Sequence, residues 1–435
     1  MMRRWRSDSL GKMRRGRAVV AGSLAASMLA VGVIGTSSAA YGATAHTTLT
    51  EIDYYTPGLP QWAAFDWLFK QYDKTHPGIT VDRQTVAGPS LLPKELALAS
   101  THSLPDLAIA DPTYTPSLVA TGQWLNIKPD LMKWGQMKDY LSSEWPQLTF
   151  NGGIYGILDG TNDLGFIYNK KIFAEAGITS VPTTWAQMIS DSQTIVSKVK
   201  GLTYGAVGYG AEPGCSAGWQ FLPYIYQQGL DVNDMTSPGM VAAVNFWATL
   251  LKKGYANKEV ITQCQSTNIP QLVAGQLAMV ETGQWDFPTL AADHFNDWGT
   301  FAIPLRSSTN HPAVPLGGEV WTVPKTDAAG EAAAWNFLEW SQQPSILYQF
   351  DQKLNYTPVR LSLLPAFEKA NPRVTPFVQE LKYAVGRTTA LGTKFQTYST
   401  DLGTAITQVL EGQRTASSAL AAALTSAKNT LASQS

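Results

Sequence analysis

Between Tyr155 and Tyr168 the chain offers two short apolar runs, Tyr155 to Leu158 and Leu164 to Tyr168, separated by a polar joint at Asp159 to Asp163 that contains Gly160. Runs of this length and composition predict two strands, and the Asp, Gly, Thr and Asn between them predict a break in the sheet. Lys170 to Gly177 then reads as a short helix closed by glycine, and Thr183 or Thr184 caps the next helix, which opens at Trp185. A polar joint between two strands is where a hinge sits. At 435 residues the chain exceeds what one hydrophobic core usually spans, so two lobes are the default expectation.

The first 45 residues are excluded from the fold. Arg3, Arg4, Arg6, Lys12, Arg14, Arg15 and Arg17 form a basic region, Ala18 to Ile34 an apolar one, and Ser38-Ala39-Ala40 and Ala43-Thr44-Ala45 each offer a small-residue cleavage site. This is the pattern of an export signal. An apolar run of 17 residues, rich in Ala and Gly, is short for a spanning helix, so cleavage is expected, a retained anchor being the alternative. Arg14-Arg15 hints at the twin-arginine route. Cleavage leaves 25 basic against 32 acidic residues, a net charge of −7. The basic residues are scattered and form no aromatic-interleaved patch, which argues against nucleic acid and against an anionic membrane surface as partners.

The only cysteines are Cys215 and Cys264. An exported chain meets an oxidising compartment, which favours a disulfide over two free thiols. Closing a loop of about 50 residues stabilises by roughly 4 kcal/mol in the chain-entropy model. The alternative is two buried small hydrophobes.

After the signal, Thr48 to Tyr54 alternates as a strand, Trp62 to His76 places Trp62, Phe65, Leu68, Phe69 and Tyr72 at helical spacing, and Ile79 to Arg83 is a second strand. Leu91 to Ala99 reads as another helix and Pro105 to Ile109 as a buried strand. The alternation predicts an α/β fold, whose ligands bind beyond the carboxyl ends of strands. Tyr55, Trp62 and Asp111 sit there. Further on, Trp185 to Lys200, Trp219 to Gln228 and Met240 to Gly254 read as helices and Leu202 to Tyr209 as a strand.

Three segments carry a resemblance. The first holds Tyr155-Gly156, Tyr168-Asn169-Lys170, Phe173, Ala176-Gly177, Pro182 and Thr184-Trp185; the second runs from Leu272 through Gly275 and Met279 to Thr282-Gly283-Gln284-Trp285; the third runs from Leu316-Gly317-Gly318 to Pro324, with a helix at Glu331 to Trp340 and then Tyr356 to Arg360. In this order they resemble the extracellular solute-binding proteins of ABC importers, in the maltose-type sugar-binding branch, over almost all of residues 48 to 428. The resemblance implies a two-lobed periplasmic-binding-protein-like α/β fold with a hinged cleft. Residues 46 to 160 and 301 to 341 would build one lobe, 164 to 300 and 342 to 435 the other, with 159 to 163 as the first crossover. It also implies a monomeric receptor that closes on a sugar or oligosaccharide and hands it to membrane permease subunits, without cofactor, metal or covalent step. Neither cysteine lies near the cleavage sites, so the lipid-modified cysteine that tethers many relatives is missing, and an extracellular or periplasmic place at the outer face of the cytoplasmic membrane is expected.

A sugar presents C–H faces to aromatic rings and hydroxyls to planar polar groups, and the 14 Trp and 17 Tyr supply a surplus of such rings. Trp285 resembles the family's stacking tryptophan. Glu212 resembles a cleft acid, a solvated loop acid being the other reading, and Asn162 and Asp163 stand where they would either contact ligand or cap the hinge. Gly317 and Gly318 would let ligand approach the backbone, with Glu319 directly after them. Trp219, Trp321, Tyr356, Arg360 and Tyr398 complete the candidates.

One motif points elsewhere. Gly214-Cys215-Ser216-Ala217-Gly218 fits G-x-S-x-G, the nucleophile elbow of serine hydrolases, but Gly210 and Pro213 place a loop where that elbow needs a turn directly off a strand. No zinc, Walker A, dinucleotide or EF-hand motif occurs, and the five histidines are dispersed. A polyol, glycerol phosphate or other small polar solute is the alternative ligand, and a secreted carbohydrate-active hydrolase or a lectin the alternative class.

Overall fold

The computed structural model describes residues 48–213 and 217–434. The expected export segment, Cys215 and Ser216 lie outside the described residues.

Two sheets organise the chain. The first has five strands in the order Thr80–Thr85, Thr48–Asp53, Leu107–Ala110, Val320–Thr322 and Ile157–Leu158. The first three run parallel, and Val320–Thr322 returns antiparallel to both its neighbours. Leu107–Ala110 is buried throughout, as a strand covered on both faces must be, whereas Thr80–Thr85 is mostly polar, alternates exposed with half-buried residues and takes the edge. Helix Pro60–Thr75 begins with proline at its first position and turns Ala64, Phe65, Leu68, Phe69 and Tyr72 inward. Its Phe65 and Phe69 meet Phe350 and Phe337 of helices Pro344–Leu354 and Ala328–Ser341, with ring centroids 5.0 and 5.8 Å apart.

The second sheet has four strands in the order Trp298–Ala302, Gly165–Asn169, Met279–Thr282 and Val207–Gly208. Helix Trp185–Lys198 packs there, its start fixed by a reciprocal cap between Thr184 and Gln187, and Trp185 stacks on Phe246 of helix Pro238–Lys252 at 4.7 Å. Helices Phe395–Leu410 and Ala416–Gln434 lie along one another and against Pro238–Lys252. The helix expected over 219 to 228 is instead two, Ala217–Gln220 and Leu222–Tyr226, because Pro223 lacks the N–H that would continue the ladder. The strand expected over 202 to 209 shrinks to Val207–Gly208.

Three segments lie side by side between the sheets. Thr161 and Thr357 exchange both backbone hydrogen bonds, at 2.7 and 2.8 Å, and the Gly317 N–H donates to the Asn162 carbonyl at 2.9 Å. The Thr161 hydroxyl donates to the Gly317 carbonyl at 3.0 Å, and the Gln284 amide reaches the Thr357 hydroxyl at 2.9 Å. A side chain at Gly318, whose φ is +98°, would overlap the Gly160 carbonyl. Gly317 is held as tightly, by Asn162 and by the Trp219 ring, so packing of the crossing chains accounts for both glycines.

Candidate functional site

A cavity of about 330 Å³ lies between the two sheets, in front of these segments. From the first sheet come Tyr54 and Tyr55, which follow strand Thr48–Asp53, and Asp111, which follows Leu107–Ala110; both points are carboxyl ends of strands. Glu319 stands just before Val320–Thr322. From the second sheet's side come Trp219, Gln265 and Trp285, and Asn162, Gly317, Gly318 and Tyr356 come from the crossing segments.

Glu319 is the electrostatic centre. Its Oε1 accepts hydrogen bonds from the hydroxyl of Tyr54 and, at 3.3 Å, from that of Tyr356, which also meets the Tyr55 hydroxyl at 2.9 Å. Its Oε2 is buried and has no partner among the described residues. Burial pushes the Glu319 carboxyl up to about 7, against the pull of the tyrosine hydrogen bonds and with a further push from Asp111. Behind it Asp159, buried and close to the Glu319 charge, is raised well above the carboxylate range for the same reasons. A buried acid oxygen without a donor, in a wall of phenol rings, is a place for a ligand hydroxyl.

The opposite wall is aromatic. Trp285 is 8% exposed, donates its indole N–H to the Ser266 hydroxyl at 3.1 Å, and lies 6.5 Å from the Trp219 ring, tilted by 45°. Arg387 lies over Trp219 at 4.6 Å and pairs with Asp111 at 3.0 Å.

Of the residues singled out in the sequence, Tyr55, Asp111, Asn162, Trp219, Trp285, Gly317, Gly318, Glu319 and Tyr356 meet at this cavity. The others do not line it. Trp321 is wholly buried against Phe65, Phe69 and Phe337, because strand Val320–Thr322 is internal and turns that ring into the core. Arg360 is held by Asp139, Gln136 and the Gln342 carbonyl, as a structural tie. Trp62 faces Arg83 at 5.8 Å while its neighbour Gln61 reaches the cavity. Asp163 is buried with Glu380, and burial together with the Glu380 charge raises its carboxyl. Glu212 is half-buried, its N–H bonded to the Gln263 carbonyl at 3.2 Å, and Tyr398 packs half-buried on the core. Tyr54, Leu59, Gln61, Gln265 and Arg387 line the cavity without having been singled out. Tyr54 was adjacent to a candidate; nothing local marks Arg387. Among the described residues no group of His, Cys, Asp and Glu could hold a metal ion.

The sequence model of bacterial extracellular solute-binding proteins matches residues 67–376. A binding protein of Brucella abortus is 22% identical over 306 residues, which cover 68% of this chain and 72% of the relative. The crystal structure of the cyclic α-maltosyl-1,6-maltose binding protein of Arthrobacter globiformis matches with a TM-score of 0.73 at 24% identity, over 88% of this chain and 98% of that one. UgpB of Mycobacterium tuberculosis, solved with glycerophosphocholine, matches with a TM-score of 0.78 at 19% identity, over 89% and 99%. At these identities the likeness shows the fold, which is two-lobed and of the periplasmic-binding-protein type.

Proposed function

The chain belongs to the bacterial extracellular solute-binding protein family, and from that premise we propose that its cavity takes a sugar or oligosaccharide, closes on it, and presents it to the permease of an ABC importer. The observation that carries the ligand class is the pairing of Glu319, with its unpartnered buried oxygen among tyrosines, and the Trp219–Trp285 wall. Such a site offers hydrogen-bond acceptors on one side and flat apolar faces on the other, complements to the two surfaces a pyranose presents. Closure would bring them together by shifting a two-state population toward the liganded form.

The lobes proposed are 46 to 160 with 301 to 341 and 164 to 300 with 342 to 435, with two shifts. Strand Trp298–Ala302 belongs to the second sheet, so the return to the first lobe comes after 302. Helix Pro344–Leu354 packs on Pro60–Thr75 and so goes with the first lobe, the later helices with the second. An export signal over 1 to 45, a Cys215–Cys264 disulfide and a monomeric state complete the proposal. No described helix is long and apolar enough to cross a membrane.

A thermal-shift screen over mono- and oligosaccharides, with glycerol phosphate and polyols alongside, tests the reading; a sugar at 100 times its Kd should stabilise by roughly 2.7 kcal/mol. Stabilisation by glycerol phosphate alone would favour the second ligand class, for which the Arg387 guanidinium is the one cation lining the cavity among the described residues. The family and the structural neighbours are binding proteins, and the absence of covalent chemistry is part of the proposal. Ester hydrolysis that disappears in Ser216→Ala would overturn it.

A further inference from the structure

A groove of about 520 Å³ lies away from the cavity and shares none of its lining residues. It runs between the end of strand Trp298–Ala302, residues 181 to 183, and helix Thr375–Glu380 with the residues that follow it. Pro182, Phe301, Ile303, Leu305, Pro376 and Tyr383 give it apolar walls, and its volume is within the ~300–1,000 Å³ of small-molecule sites. The walls are fixed. The Leu305 N–H donates to the Thr183 carbonyl at 3.0 Å and the Trp185 N–H to the Leu305 carbonyl at 2.8 Å, while Phe301 stacks on Phe166 with ring centroids 4.9 Å apart.

One acid lines this groove. Glu380 is 4% exposed, and neither of its carboxylate oxygens has a hydrogen-bond partner among the described residues. Asp163, wholly buried beside it, has both oxygens equally without a donor. Burial raises both carboxyls well above the carboxylate range, and the Glu380 charge raises Asp163 further. Two acids set together without a counter-ion behave in this way. The one cation lining the groove among the described residues is Lys382, and its ammonium lies instead over the Tyr383 ring at 4.9 Å, both residues being exposed. Nor do the acids make a metal site, since no group of three His, Cys, Asp or Glu among the described residues could hold an ion. What the pair lacks is a charged hydrogen-bond donor, and an ammonium brings three N–H groups with its charge.

We propose that the groove is a second ligand site and that it takes a primary alkylamine in its ammonium form, the head on Glu380 and the chain along Phe301, Ile303 and Pro376. Asp163 adds to the negative field at the head. The apolar walls select for the chain, as the acid selects for the charge. The site does not rest on the carbohydrate reading, and because it has no residue in common with the cavity both can be filled at once.

Calorimetric titration of the full-length protein at neutral pH with n-hexylammonium chloride, beside 1-hexanol and methylammonium chloride, tests it. Hexylammonium should bind ten or more times more tightly than hexanol, which has the chain without the charge, and than methylammonium, which has the charge without the chain. Glu380→Gln, which keeps the shape and removes the charge, should bring hexylammonium to within threefold of hexanol. Should that variant fail to fold, the wild-type comparison decides together with amide hydrogen exchange, which hexylammonium should slow over 300 to 305 and 379 to 383. Equal affinity for hexylammonium and hexanol, an affinity unchanged in Glu380→Gln, or protection confined to other segments overturns the site. The carbohydrate reading stands or falls separately, on the sugar screen.

Discussion

Gly283 lies under the indole of Trp285 so closely that a methyl group on its α-carbon would overlap the ring. Its backbone is extended, with φ −123° and ψ −176°, which any residue adopts. The glycine is therefore there for the space the indole occupies and not for a turn. Trp285 in turn is clamped by Ser266 and faces the cavity with the small part of its surface that stays exposed.

Gly283→Ala should push the indole out of place without a backbone clash of its own. Ligand affinity should fall about tenfold or more, while the far-ultraviolet circular dichroism spectrum is unchanged. Normal affinity in this variant would show that the ring's position is irrelevant to binding.

Trp285→Ala tests the stacking surface itself. With only the exposed part of the ring available, losing ~40 Å² of apolar contact, both partners counted, at ~25 cal/mol/Å² removes about 1 kcal/mol of binding, a fall of roughly fivefold. Because the ring is also largely buried, the same change should cost ~3 to 5 kcal/mol of stability, so truncation is not silent in the fold. Trp285→Phe separates the two by keeping most of the packing. Titration calorimetry beside a denaturant curve reads both, and a variant that melts early but binds normally would place the residue in the core alone.

Glu319 gives stability a pH dependence of a defined sign. A carboxyl held at about 7 in the folded protein, against 4.5 as its ordinary value, binds its proton more tightly folded than unfolded. Its favourable contribution is complete below about pH 4.5 and is lost as pH rises through 7. Glu319→Gln should therefore stabilise the protein at pH 8 by on the order of 1–3 kcal/mol, since each tenfold difference in proton affinity between the folded and unfolded chain is worth about 1.4 kcal/mol. The same variant should lose sugar affinity, since the amide presents a donor where a ligand hydroxyl needs an acceptor. Denaturation midpoints at pH 5 and pH 8 check the first claim, and equal changes at both would refute it.

Closure should be visible in scattering. About 390 compact residues have a radius of gyration near 21 Å, and saturation with whichever sugar stabilises the protein in the thermal screen should reduce it measurably. An unchanged curve with ligand demonstrably bound would indicate a rigid, lectin-like site.

The cysteines make a covalent prediction. Thiol titration of the denatured, unreduced protein should find no free sulfhydryl, and reduction should lower the melting temperature without altering affinity. Two titratable thiols would refute the disulfide.

Much of the scaffold was legible because its signals are local. Leu107–Ala110 is an unbroken apolar run, Thr184 caps the helix that opens at Trp185, and Gly177 closes the helix before it. Glu319 was found through its place after two glycines. The Arg387–Asp111 pair was not, because its members are 276 residues apart and neither residue type is informative alone. Trp321 was misplaced for the opposite reason: Val320, Trp321 and Thr322 are all buried, so the strand has no alternation from which to tell a cavity face from a core face.

The reciprocal bonds between Thr161 and Thr357, and the bond from Gly317 to Asn162, have a mechanical corollary. Three tethers stitched edge to edge behave as a strip and not as three strings: they bend about the axis along which they lie and resist sliding or wringing. Relative movement of the two bodies should thereby reduce to essentially one angle. Opening and closing would then retrace the same arc, and the walls carried by Glu319 and Trp285 would meet in only one alignment, whatever lies between them.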